Sequence, residues 1–281
     1  MTEKLADIAA AMVAPGKGVL AADESSGTIK KRFDSIGVAS TEDARRDYRE
    51  MLFRAREAMQ NYVSGVILYD ETIRQKAKDG TPLVDVIKAA GAIPGIKVDE
   101  GAKTLPGPTS AVEKVTEGLD GLRERLAEYY KLGARFAKWR AVITIADGAP
   151  TWNCTKANAH ALARYAALCQ EAGIVPIVEP EVLMDGAHDI DRCVEVSEGQ
   201  RMGTQGNFSG AVPQPRRARR HGTQAKHGGA RQEVGKARFG PGSRGEDGAR
   251  AQIRRAGVRS RHRLFVGRAI RRRGDRASRR H

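Results

Sequence analysis

In RFAKWRAVI, residues 135–143, charge and bulk alternate with a period of two. On a strand that period sends Lys138 and Arg140 to one face together with Phe136, and Ala137 and Trp139 to the other. Two cations on an inward face make an anion or carbonyl site, although an edge strand with one wetted face accounts for the same residues. Four further runs share the form, apolar and then charged at the end: GVLAAD (18–23), GVILYD (65–70), AIPGIKVD (92–99) and IVPIVEPEV (174–182). Segments with helical spacing lie between them, over 42–60, 81–90, 118–132 and 156–172. In the last of these Ala161, Leu162, Tyr165 and Cys169 share a stripe that stops at Gly173, a usual C-terminal signal. Strand and helix in alternation predict repeated βα units on a parallel sheet, and 281 residues permit an α/β barrel.

In such a barrel the C-terminal strand ends form the active face, so the polar residues there are the functional candidates. Glu179 and Glu181 are two apart and leave the same side of their strand. Neighbouring carboxylates raise one another's pKa and nearby lysines lower it, a balance that yields acid–base groups. Plain ion pairs with Lys138 or Lys97 explain the two acids equally well. Lys97, in GIKVD, repeats the pattern of a cation at a strand end. LAADESSGTIKKR (20–32) puts Asp23 at another strand end, where it could orient a hydroxylated substrate while Ser25 and Arg32 hold a phosphate. A capped loop entering a solvated basic helix is the alternative.

The net charge of +15 would ordinarily point to nucleic acid or a membrane surface, but its distribution changes the inference. Residues 1–198 hold 26 Lys+Arg against 30 Asp+Glu, and residues 199–281 hold 23 against 4. A mildly acidic body is followed by an Arg-rich and Gly-rich tail. The tail has no sustained period and few apolar residues to offset chain entropy, so disorder is expected from about residue 200. Five βα units precede that point, too few to close eight strands. Cys154, Cys169 and Cys193 lack disulfide or zinc spacing and read as reduced thiols, and His160 and His188 lack the further ligands of a metal pair. No apolar run reaches the roughly 18–20 residues of a membrane span, and the N-terminus lacks a signal-peptide pattern, so a cytoplasmic location is expected.

The segments VAPGKGVLAADESSGTIKKRFDSIG, GVILYDETIRQKAKDG, GIKVDEG, GLDGLRERLAEYYKLGARFAKWR and ANAHALARYAALCQEAGIVPIVEPEVLMDGAHDIDRC resemble class I fructose-bisphosphate aldolases in order and approximate spacing. They cover residues 7 to about 198 almost without a break. The resemblance implies a (β/α)8 TIM barrel that cleaves fructose 1,6-bisphosphate reversibly in glycolysis, with no metal or other cofactor. A lysine amine of that family forms an iminium with the ketone, which serves as the electron sink. By matching positions, Asp23 helps break the carbon–carbon bond, Glu179 is the acid–base group of iminium formation, and Lys138 and Glu181 support it. Lys97, Arg140, Ser25 and Arg32 match positions near substrate or phosphate. A homo-oligomer is implied as well.

Two departures stand out. Ala187, in DGAHD, replaces an acid usual in the family. More seriously, no LLKPNMV strand, which carries the nucleophilic lysine, and no LSGGQS phosphate loop follow residue 198. Both reappear one nucleotide out of frame. With suitable synonymous codons, Met202 to Phe208 read one nucleotide later give WVLKVTF, and Arg220 to Gly228 give GMVLKPNMV, the lysine codon straddling Gln224 and Ala225. Phe265 to Arg273 give SSGGQSDEE in the same frame. The Arg and Gly excess is what a GC-rich gene yields when read out of frame. The expectation is therefore an aldolase-like partial barrel over 1–198 and a frame-shifted tail over 199–281, inactive as it stands. The rival is an aldolase-like domain whose basic tail binds nucleic acid nonspecifically, though few aromatics are interleaved with its basic residues.

Overall fold

The computed structural model describes residues 3–109 and 111–211, the last seven of them as helix backbone only. In chain order the elements are α1 (Leu5–Met12), β1 (Gly18–Ala22), α2 (Ser26–Asp34), α3 (Glu42–Phe53), α4 (Arg56–Tyr62), β2 (Val63–Leu68), α5 (Asp70–Arg74), α6 (Leu83–Ala89) and β3 (Ile93–Lys97). There follow β4 (Ala102–Thr104), β5 (Lys114–Thr116), α7 (Leu122–Leu132), β6 (Phe136–Ile143), α8 (Trp152–Glu171), β7 (Val175–Val182) and α9 (Ile190–Ala211). The five expected strands form one parallel sheet in the order β1-β2-β3-β6-β7, with helices as the crossovers. β4 and β5 form a separate antiparallel hairpin that the sequence pattern did not reveal. Among the described residues the sheet is open, with β1 and β7 at its edges, as five units require.

The two faces of β6 separate two cores. Ala137, Trp139 and Ala141 face the helices, and Trp139 packs against Tyr165 of α8 with ring centroids 5.5 Å apart. The buried Tyr165 hydroxyl reaches the Ala137 carbonyl at 2.7 Å, so its polar end is satisfied inside the layer. On the inner face Phe136 joins Ile67, Val175 and the α1 residues Ile8, Ala9 and Met12 in an apolar floor. Phe136 lies over Gly95, where an added Cβ would stand 2.3 Å from two of its ring carbons, so only glycine fits beneath the ring. Two and four residues farther along the same face come Lys138 and Arg140. The inner face thus runs from an apolar floor to a charged mouth at the C-terminal strand ends.

The helical segment expected over 42–60 is broken into α3 and α4. Arg49, Phe53 and Met59 are all buried, yet Met59 lies about 240° around a continuous helix from Phe53, so a break is needed to turn both inward. α8 ends as expected: Gly173 adopts φ +74° and the Ile174 amide donates to the Cys169 carbonyl at 2.8 Å. The stripe Ala161, Leu162, Tyr165 and Cys169 is buried. α9 runs from Ile190 to Ala211, past the point near residue 200 from which chain disorder is expected. Gln200 and Thr204 are buried, and the Gln200 Nε2 donates to Thr155 Oγ1 of α8 at 2.7 Å, which ties the helix down. Residues 212–281, the remainder of the expected tail, lie outside the described residues. The three cysteines are free and buried. No helix among the described residues is long and apolar enough to cross a membrane.

Candidate active site

At the mouth of the half-barrel the strands deliver charges of both signs. Asp23 follows β1, 9% exposed, and its Oδ2 accepts from the Lys138 ammonium at 2.9 Å. Lys138 Nζ also lies 4.0 Å from Glu179 Oε2, so it stands between a carboxylate from β1 and one from β7. In the parallel register Lys97 is beside Lys138 and Arg140 beside Glu179. Arg140 reaches forward by one side-chain step to pair through Nε with Glu181. Lys97 Nζ sits 2.7 Å from Asp99 Oδ1 and donates to the Asp99 carbonyl at the same distance. Lys97 and Glu181 sit at or near the C-terminal ends of β3 and β7, and Asp23 and Asp99 just after β1 and β3, whereas Lys138 is the third and Arg140 the fifth of the eight residues of β6 and Glu179 the fifth of eight in β7.

Burial works against the charged amine of Lys138, but Asp23 and Glu179 outweigh it and hold the ammonium above its ordinary value. For Glu179 burial dominates in the other direction: the Lys138 charge pulls its carboxyl down, yet desolvation, with help from nearby Glu181, leaves it raised. The Glu181 carboxylate holds Arg140 above its usual value. The pair Lys138 and Glu179 therefore combines a persistently charged donor with a carboxyl that takes up a proton more readily than usual. That is the combination needed for proton exchange beside a carbonyl.

Ser25 and Arg32 stand one step away. Ser25 caps α2, its Oγ accepting from the Thr28 amide at 3.4 Å and lying 3.0 Å from the Thr28 hydroxyl. Arg32, on α2 and largely exposed, pairs with Glu24, the neighbour of Asp23. Ser25 lies in the β1–α2 turn beside Asp23, and Arg32 reaches back to that turn from α2 through Glu24. Two groups were missed in the sequence. Asp99 is buried, binds Lys97 and accepts from the Arg140 amide at 3.4 Å; its signal was an acid two residues beyond Lys97 in GIKVDEG. Arg49 is fully buried behind the Asp23 turn, and nothing in the helical pattern of 42–60 marked it. Among the described residues no three or more His, Cys, Asp or Glu side chains are grouped so as to hold a metal ion. A polar cleft of about 490 Å³ lies beside α3 and α5, and several of its lining charges pair locally, Arg46 with Asp43 and Arg74 with Asp70.

The chain is similar to known proteins over most of its described residues. The model of the glycolytic family class I fructose-bisphosphate aldolase matches residues 4–202. A probable fructose-bisphosphate aldolase class 1 of Xanthomonas axonopodis is 62% identical over 196 residues, which cover 70% of this chain and 58% of that protein. Fructose-bisphosphate aldolase 1 of Toxoplasma gondii is 57% identical over 200 residues, covering 70% of this chain and 54% of its own length. The solved aldolase of Plasmodium falciparum superposes with a TM-score of 0.70 at 46% identity, over 73% of this chain and 58% of that one. The chain thus spans a little over half the length of the relatives it matches. With the family matched across the whole of the described sheet, and the strand-end charges gathered where a barrel enzyme keeps its chemistry, the chain belongs to the class I fructose-bisphosphate aldolase family.

Proposed function

We propose that this chain carries the substrate-handling part of a Schiff-base aldolase for fructose 1,6-bisphosphate, and that it does not turn over as it stands. The observation that carries the first half is the Asp23–Lys138–Glu179 cluster, with Lys138 Nζ 2.9 Å from one carboxylate and 4.0 Å from the other. In a retro-aldol reaction a hydroxyl proton must leave as the adjacent carbon–carbon bond breaks, with the electron pair flowing to an iminium nitrogen. Asp23 is the group that receives that proton, and Lys138, 2.9 Å away, holds its carboxylate in place. Glu179, its carboxyl raised by burial, exchanges protons with the carbinolamine as the iminium forms and hydrolyses. Glu181 holds Arg140, and Arg140, Lys97, Ser25 and Arg32 provide the cationic and hydroxyl groups for the phosphates. The products are dihydroxyacetone phosphate and glyceraldehyde 3-phosphate. The full reaction requires a lysine nucleophile, which this reading frame lacks, and no cofactor, and the assembly is a homo-oligomer in the cytoplasm.

The second half rests on a change of frame close to residues 199–202. The family match stops at residue 202 although α9 continues to Ala211. The buried stripe of α9 also changes character there: Cys193 and Val196 are followed by Gln200 and Thr204, the last 1% exposed. With suitable synonymous codons, reading one nucleotide later places Leu at position 204 and Val at 203, where a Cβ would meet Thr155 Cγ2 at 3.5 Å and Ala159 Cβ at 3.9 Å, ordinary contacts. An apolar stripe against α8 is thereby restored by the same shift that recovers the KPNM lysine. Borohydride trapping in the presence of fructose 1,6-bisphosphate tests the proposal: no lysine of the chain should take a stable, stoichiometric label. Stoichiometric labelling accompanied by turnover would show that the nucleophile lies among the residues present.

A further inference from the structure

Arg49 is a guanidinium with no exposed surface, an arrangement that is unfavourable unless its hydrogen bonds are specific. Its NH2 donates to the main-chain carbonyl of Glu24 at 2.7 Å, and its NH1 to Glu71 Oε1 at 3.4 Å. Glu71 is itself fixed by Arg45, whose Nε and NH2 donate to its two oxygens at 2.9 and 2.5 Å. The Tyr69 ring lies 6.0 Å from the Arg49 guanidinium carbon and closes the other side. A rigid chain of contacts thus runs from α3 through α5 to one carbonyl oxygen. That oxygen belongs to the residue between Asp23 and Ser25, the cap of α2.

A carbonyl needs only a neutral donor, so carbonyl satisfaction alone does not explain a buried cation. Its second feature is location: the charge sits directly behind the turn that presents the Asp23 carboxylate to Lys138. We propose that Arg49 is the positioning residue for Asp23, clamping the Glu24 peptide so that the carboxylate meets the Lys138 amine. The proposal rests on Asp23 and Lys138 belonging to the reaction site, but its test requires no turnover. Lys138 faces Asp23 from β1, Glu179 from β7 and Asp99 after β3, with Lys97 beside it in register. Lys97, held by Asp99, receives nothing from Arg49 and serves as the internal reference.

The experiment is competitive labelling of the full chain with acetic anhydride at several alkaline pH values, each lysine being quantified by peptide mass. In Arg49→Met the Asp23 turn is released, Lys138 loses its principal counter-charge, and its labelling is expected to rise by roughly three- to tenfold. Lys97 labelling should stay within roughly a factor of two. Arg49→Lys keeps the charge but cannot hold Glu24 and Glu71 together, and should give an intermediate increase at Lys138 alone. If Arg49→Met loses its helical circular dichroism, Arg49→Lys decides on the same criterion. Unchanged Lys138 labelling in a folded variant, or Lys138 and Lys97 accelerating together, overturns the proposal. Failure of the aldolase assignment would show in trapping and turnover and would leave this labelling pattern intact.

Discussion

Thr204→Leu tests whether α9 beyond residue 199 fits the surface it lies on. Thr204 is 1% exposed, and its hydroxyl donates back to the Gln200 carbonyl at 2.8 Å. That bond competes weakly with the helix's own, so its loss is worth about 0.5 kcal/mol. Leucine replaces the buried hydroxyl with carbon and adds one methylene, at about 0.8 kcal/mol per buried methylene and a similar gain for removing the polar group. The net expectation is about 1 kcal/mol in favour of docked α9, or roughly fivefold in the local opening equilibrium. Hydrogen exchange followed by mass spectrometry reads this directly: α9 peptides should exchange about fivefold more slowly, with β2 and β3 peptides unaffected. Faster exchange in α9 would mean that the slot is filled by threonine and that leucine overpacks it, at about 1–3 kcal/mol. That result would remove the structural support for the shifted reading.

Glu179→Gln tests the raised carboxyl. A group whose folded pKa is raised contributes stability below its ordinary value, near about pH 4, and loses that contribution as pH rises through the folded value. The variant, measured against the parent by chemical denaturation, should therefore gain relative stability as pH rises from acid towards neutral; a relative loss would mean that attraction to Lys138 outweighs burial. Gly95→Ala should destabilise by at least about 1–3 kcal/mol, because its Cβ would stand 2.3 Å from Phe136, and Phe136→Leu should recover part of the loss. A neutral Gly95→Ala would mean that Phe136 does not form the barrel floor.

The strands were legible because four of the five runs are apolar with charge at or near the end, and in the fifth, RFAKWRAVI, charge and bulk alternate within the run. Lys138 with Arg140, and Glu179 with Glu181, were legible from their period of two, and Asp23 from its place at a strand end. Arg49 and Asp99 were not. Arg49 occupies a helix position whose neighbours are charged, and only the folded chain shows that its face is turned inward against the Asp23 turn. The division of 42–60 into α3 and α4 follows from burying both Phe53 and Met59, a tertiary demand that local periodicity does not express. The β4–β5 hairpin is three residues per strand, too short for a period to register. α9 was hidden by glycines at 199, 203 and 206 and by the loss of apolar spacing, the same change of composition that marks the proposed frame boundary.

The most direct measurement is fructose 1,6-bisphosphate cleavage by a chain from whose gene one nucleotide has been removed between codons 199 and 202. On the proposed reading the intact part supplies Asp23, Lys138 and Glu179, and the shifted part would supply the KPNM lysine and the GGQS loop. Cleavage should appear in the restored chain, be absent from the present one, and vanish again when the recovered lysine is changed to methionine. Cleavage by the present chain, or a restored chain that remains inactive while folded, would contradict the account.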